Sequence, residues 1–336
     1  MNTGRFQHFI PQNAAPYDVV KIAVCRGGEK RGEFNLQHLR LPRLGEKLYS
    51  FGALSDVHIV YDTATEDFQR ALTYLNNDVD VAFTCIAGDL TDVGTDEQLA
   101  LYRSVVDEYS SDTPVYAIAG NHEASKGAVT DEKMLAYTGK PRCYTFEYGN
   151  DVFIMMGCRV WADDGSFTDA DLQWLYELLE ANRDKRCFIF IHVFPWGDSG
   201  NPLGLYSFDM FTGTRGDVFL SLLKHYKNTI LFHGHSHTKF YLQEADEKAN
   251  YSEAQGYRSV HIPSLAVPRD LGSNSFYNVY ADSEGYVVDV YKNHVILRGR
   301  DFVAEKFLPI ATYCLDTKPQ TVEAGTYTDS TGTIQT

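Results

Sequence analysis

The chain has 336 residues, 44% of them hydrophobic and 22% charged, which is enough to bury a substantial core as one large domain or two ordinary ones. Its formal net charge of −15 argues against a broad polyphosphate-binding surface, because sequence-independent nucleic-acid affinity rests on Lys and Arg. No apolar run approaches the ~20 residues that span a bilayer, and residues 1–16 lack the basic and apolar regions of a signal peptide, so the chain is expected to be cytoplasmic.

Residues 1–48 read as an N-terminal extension, a hairpin or small module, with alternating Val20, Ile22 and Val24 before a turn at Arg26-Gly27-Gly28-Glu29. From residue 49 the pattern becomes strand, loop, helix. Thr63 and Glu66, then Thr95 and Gln98, have capping-box spacing ahead of helical faces carrying Phe68, Ala71 and Leu72, and Leu99, Tyr102 and Val105. Such alternation marks βαβ units around a parallel sheet. Residues 152–157 read as a strand and residues 168–182 as a helix burying Leu172, Leu175 and Leu179. Residues 195–216 form a long Gly, Pro and Asp-rich loop placed to shape a substrate pocket, followed by a helix near residues 218–226. The last hundred residues turn to strands, expected to build a second sheet. Residues 313–336, rich in Thr, Gly and Ser, read as a mobile tail. The six cysteines show no C-x-x-C spacing and read as buried thiols of a reducing compartment.

The chemistry gathers where apolar runs end. Residues 51–54 lead into Asp56-Val57-His58, residues 81–87 into Gly88-Asp89-Leu90-Thr91-Asp92, and residues 115–119 into Gly120-Asn121-His122-Glu123. Residues 187–191 lead into His192, and residues 230–232 into His233-Gly234-His235-Ser236-His237. In open α/β sheets the carboxyl ends of the strands line the active site, so one rule places all five blocks in one crevice. An i, i+2 histidine pair converges on neighbouring ions only if the backbone leaves the strand there.

This ordered set resembles the calcineurin-like metallophosphoesterase family, with the Gly-Asp-Leu-Thr-Asp block most like that of class III cyclic-nucleotide phosphodiesterases. The resemblance implies a four-layer αββα sandwich over residues 49–312, two mixed sheets with flanking helices. It also implies a dinuclear centre in which Asp89 bridges, Asp56, His58 and His237 complete one site, and Asn121, His192 and His235 the other. His122 would be the general acid, held by Asp92. Two transition ions (Mn, Fe, Zn, Co or Ni) suit this imidazole and carboxylate set better than Ca. The implied activity is hydrolysis of a phosphodiester or of a small or lipid-linked phosphoester by metal-activated hydroxide. A nuclease of the same family and a catalytically silent scaffold are the alternatives. Protein serine/threonine phosphatases carry arginines where this chain has Val93 and Ala119, which disfavours a phosphoprotein substrate. His233 reads as a residue that packs or hydrogen-bonds beneath the site, Glu123 as either an orienting group or a surface carboxylate, and His225, His261 and His294 as structural or exposed.

Overall fold

The computed structural model describes residues 20–26, 29–36, 44–60, 63–126, 129–159, 167–193, 213–241, 250–271, 276–278, 281–318, 320 and 322–336. The chain divides into two compact units, residues 1–46 and 47–336. In the first, β1 (Val20–Arg26) pairs antiparallel with β2 (Glu29–Leu36). Lys47 and Leu48 already belong to β3.

The second unit holds two six-stranded mixed sheets. One orders β5 (Val115–Ala117), β4 (Thr84–Ile86) and β3 (Lys47–Leu54) beside β14 (Glu284–Tyr291), β15 (His294–Asp301) and β16 (Lys306–Asp316). The other runs β6 (Cys143–Tyr148), β7 (Asp151–Met156), β8 (Cys187–Phe190), β9 (Thr229–His233), β11 (Arg258–His261) and β10 (Tyr251–Ser252). β12 (Arg269–Leu271) and β13 (Phe276–Asn278) form a separate pair. The late strands therefore do not make a sheet of their own: β10 and β11 extend the sheet of β7 to β9, and β14 seals the edge of β3 antiparallel, with Val288 opposite Phe51. Strand periodicity shows that a segment is a strand and which face it buries, but not which neighbour it pairs with.

Strict alternation assigns the faces. Phe188 and Phe190 of β8, and Ile230 and Phe232 of β9, point into the core between the sheets, where they meet Phe51, Phe83 and Phe153. Ile189, Ile191 and Leu231 point the other way, onto α4 (Asp169–Ala181) and α5 (Gly213–His225). On the far side α1 (Ala64–Thr73) and α2 (Asp96–Tyr109) cover the β3–β5 sheet through Phe68, Leu72, Leu99 and Tyr102. Four layers, helix, sheet, sheet, helix, result. α3 (Asp131–Thr138) and β6 carried no clear sequence signal.

The caps depart from expectation in a useful way. Thr63 forms no capping hydrogen bond and instead donates to the Asp67 carboxylate at 2.7 Å. Thr95 does cap α2, accepting from Gln98 N–H, but Gln98 Oε1 reaches past it to Val93 N–H at 2.9 Å, tying the helix to the residue after Asp92. Residues 322–336 lie against α4 and α5, with Tyr327 and Ile334 in the core cluster and Gly325 N–H donating to Glu180 at 2.8 Å. This replaces the mobile tail expected from composition, since two apolar anchors suffice to fix a polar strap. Among the described residues no helix is long and apolar enough to cross a membrane.

Candidate metal centre

The five sequence blocks meet at the carboxyl ends of β3, β4, β5, β8 and β9, between the sheets. His192 keeps the alternation of Phe188 and Phe190 and so turns toward the opposite sheet, whereas His233, in register with Leu231, turns away. His233 is buried with Nε2 3.0 Å from Ser259 Oγ. Beyond the strands the backbone turns sharply. Asp56, His58, Asp89, His235 and His237 all have positive φ, between 42° and 72°. That left-handed conformation is disfavoured for residues other than glycine and recurs at functional sites. Gly120 and Gly234 are required for a different reason, since a Cβ would collide with the Asp89 carboxylate at the first and with Ser55 and Asp56 at the second.

The two buried carboxylates divide their oxygens alike. Asp56 Oδ2 accepts from His235 N–H at 3.0 Å and Asp89 Oδ1 from His122 N–H at 2.9 Å. The remaining oxygens, Asp56 Oδ1 and Asp89 Oδ2, are buried without a hydrogen bond of good geometry. They face imidazoles. Asp56 Oδ1 lies 2.9 Å from His237 Nε2, and His237 Nε2 lies 3.1 Å from His58 Nε2. Asp89 Oδ2 lies 3.1 Å from His192 Nε2, 3.6 Å from His58 Nε2 and 3.9 Å from His122 Nε2. Asn121 Oδ1 is 2.9 Å from both His192 Nε2 and His235 Nδ1.

Tautomers follow from the outer hydrogen bonds. His192 Nδ1 donates to Ala87 O at 2.7 Å and His237 Nδ1 to Val267 O at 3.1 Å, so in each neutral ring Nε2 is a lone pair facing carboxylate oxygen. Carboxylate, amide and imidazole groups thus converge between the sheets. Among the described residues three groups of side chains gather within reach of a cation: Asp56, His58, Asp89 and His237; His58, Asp92 and His122 toward the rim; and Asp89, His192 and His235. Asp89 belongs to the first and the third.

Charge follows the same geometry. Burial raises the Asp89 and Asp56 carboxyls, but His192 for Asp89, and His237 and His192 for Asp56, hold both well below the usual carboxylate range. Burial pushes His58 and His235 down to about 3, whereas Asp89 and Asp56 override burial and lift His192 to about 9.

His122 stands at the partly exposed rim. Its Nδ1 is 2.6 Å from the main-chain oxygen of Asp92 and 3.3 Å from the Asp92 carboxylate, so the carbonyl is the nearer partner. Glu123, left open by sequence, is completely buried. Its Oε1 accepts from Thr91 N–H at 2.8 Å and Thr91 Oγ1–H at 2.6 Å, and its Oε2 from Gly120 N–H at 2.9 Å. One side chain thereby joins the Asp89 loop to the Asn121 loop. No spacing rule exposes this, although its position after Asn121 and His122 placed it near the site. The 195–216 loop lies outside the described residues except for its last four, which begin α5.

A four-layer sandwich with buried Asp and His side chains at its strand ends has the architecture of a metallophosphoesterase. Residues 49–239, more than half of the chain, match the calcineurin-like phosphoesterase family, and the chain belongs to it. Among solved structures, the purple acid phosphatase PPD1 of yellow lupin (Lupinus luteus) seeds is similar with a TM-score of 0.56 at 15% identity, covering 86% of this chain and 57% of that one. This chain therefore spans little more than half the length of the lupin protein. GAP50, the anchor in the inner membrane complex of Plasmodium, is similar with a TM-score of 0.54 at 12% identity, covering 86% of this chain and 92% of that one. Both likenesses concern the fold. No curated protein matches the chain. The family and the Asp and His cluster support phosphoester hydrolysis in general and a dinuclear divalent metal site.

Proposed function

We propose that the protein hydrolyses a phosphodiester, or a small or lipid-linked phosphoester, with two transition ions (Mn, Fe, Zn, Co or Ni) held between the sheets. The observation that carries this reading is the position of Asp89 Oδ2, buried with His192 on one side and His58 on the other. Asp89 is assigned as the shared ligand, with Asp56, His58 and His237 on one ion and Asn121, His192 and His235 on the other. When bound, such a pair supplies a water acidic enough to attack phosphorus near neutral pH and positive charge for the phosphoryl oxygens.

The chain's own residues do the rest. His122 is assigned as general acid to the leaving oxygen. Its Nδ1–H is engaged by Asp92 O, so a proton donated from Nε2 comes from the imidazolium. The Asp92 carbonyl fixes the ring plane, with its carboxylate 3.3 Å away. The acidic balance and the residues Val93 and Ala119 support a small ester over nucleic acid or phosphoprotein.

A panel of aryl monoesters, aryl diesters, cyclic nucleotides, alkyl diesters and single-stranded DNA on ion-loaded protein tests the substrate class. Turnover should favour the small diesters over DNA. His122→Asn should lower kcat/KM for alkyl diesters by ~10²- to 10⁴-fold, and by much less for nitrophenyl esters, whose leaving group scarcely needs a proton. Equal losses on both would remove His122 from the acid role. Preference for DNA would turn the reading to the nuclease.

A further inference from the structure

We propose that His261, acting through Ser236, is a positioning residue that sets the ion affinity of the Gly234-His235-Ser236-His237 loop; this rests on the two-ion reading above. Ser236 lies between two residues in left-handed conformation, His235 at φ 72° and His237 at φ 59°. Those neighbours face the crevice, and Ser236 is buried on the other side of the turn. Its Oγ lies 2.7 Å from His261 Nε2 and 3.0 Å from Thr238 Oγ1, and accepts from Thr238 N–H at 3.3 Å.

His261 is itself fixed. It ends β11, pairs in the ladder with His233, donates its N–H to Asn250 O at 2.9 Å, and is followed by Ile262, whose N–H donates to His233 O at 2.7 Å. The contact between the two side chains therefore joins a strained loop to a rigid parallel sheet, through groups with no exposure to water. A buried polar pair of this kind specifies one backbone geometry where an apolar pair would tolerate several. Because His235 and His237 flank Ser236 and face different groups of acceptors, a displaced Ser236 moves a ligand of each candidate ion site. His261 lies outside every sequence block, in a stretch that reads as an ordinary strand.

The test is equilibrium titration of metal-stripped protein with Co(II), read by its visible absorption spectrum, for wild type, Ser236→Ala, His261→Phe and His261→Gln. Circular dichroism of the stripped chains establishes that each variant is folded. Ser236→Ala removes only the hydroxyl, so it serves if His261→Phe does not fold. Wild type should take up two ions. Ser236→Ala and His261→Phe should bind roughly 10- to 100-fold more weakly, the usual effect of removing an outer partner of a metal ligand, with altered Co(II) absorption. His261→Gln, whose amide can reach the position of Nε2, should recover much of the affinity. Two ions in wild type with unchanged affinity and spectrum in folded Ser236→Ala or His261→Phe would overturn the positioning role alone, leaving the metal centre intact. A wild type that takes up no ions would overturn the metal centre and this inference with it.

Discussion

His192 shows how one side chain links protonation to ion binding. Burial alone would lower it, but Asp89 and Asp56 raise it to about 9, so in the ion-free chain it is an imidazolium at neutral pH. A ligand imidazole must be neutral, so ion uptake at pH 7.5 should expel about one proton from this ring. The sign of the linkage is fixed. Its folded value lies above the ordinary 6.5, so the stability it lends the ion-free chain is complete below about pH 6.5 and lost as pH rises through about 9. Ion affinity should correspondingly climb with pH up to about 9 and then level. Calorimetry in buffers of different ionisation enthalpy counts the proton, and His192→Ala should remove it. Uptake with no proton release in wild type would contradict this account of the site. That His233 packs beneath the site was legible in sequence, because the resemblance already filled the ligand set without it. The burial of Glu123 and the bond from His261 to Ser236 were not. They depend on neighbours 32 and 25 residues away.

At the scale of elements, the centre is made by turns that leave strand ends, and the turns are held by side chains rather than by their own backbone preference. Glu123 uses both oxygens against three donors from two loops. Glu123→Gln would turn an amide NH2 toward a donor, leaving a buried group unsatisfied at a cost of ~1–3 kcal/mol. The melting temperature should fall, and the Asp89 and Asn121 loops should hold ions less tightly; unchanged melting and unchanged ion content would show that the carboxylate braces nothing. The strands and helices that deliver the loops were readable from apolar runs and helical periodicity, including the unbroken apolar runs of β8 and β9. Their partners were not. The pairing of β14 with β3 joins residues more than two hundred positions apart, and no local pattern encodes it. The missing Thr63 cap has a similar origin, since Asp67 competes for the hydroxyl that would have closed it.

Across the whole molecule, the apolar layer between the sheets ends at the metal loops, so the site sits at one end of the sandwich. The C-terminal strap closes the outer face of α4 and α5, where Tyr327 packs 5.5 Å from Tyr176 and its hydroxyl lies 2.7 Å from Ser221 Oγ. Tyr327→Ala should lower stability by roughly 3 kcal/mol, in the range for removing a buried aromatic ring, while leaving ion content unchanged. A melting temperature equal to wild type would mean that the strap does not bind there in solution. The family was legible because five short blocks of ligand-type residues succeed apolar runs in a fixed order. The substrate was not, since the five blocks consist of metal-ligand and acid–base residue types, which carry no information about the rest of an ester. The central claim is that hydrolysis needs both halves of the Asp89 centre. It is tested most directly by stripping the protein of metal, returning manganese in steps, and recording nitrophenyl diester turnover against ions bound per chain. The account predicts little turnover up to one ion and a plateau at two; full turnover with one ion bound, or none with two, would contradict it.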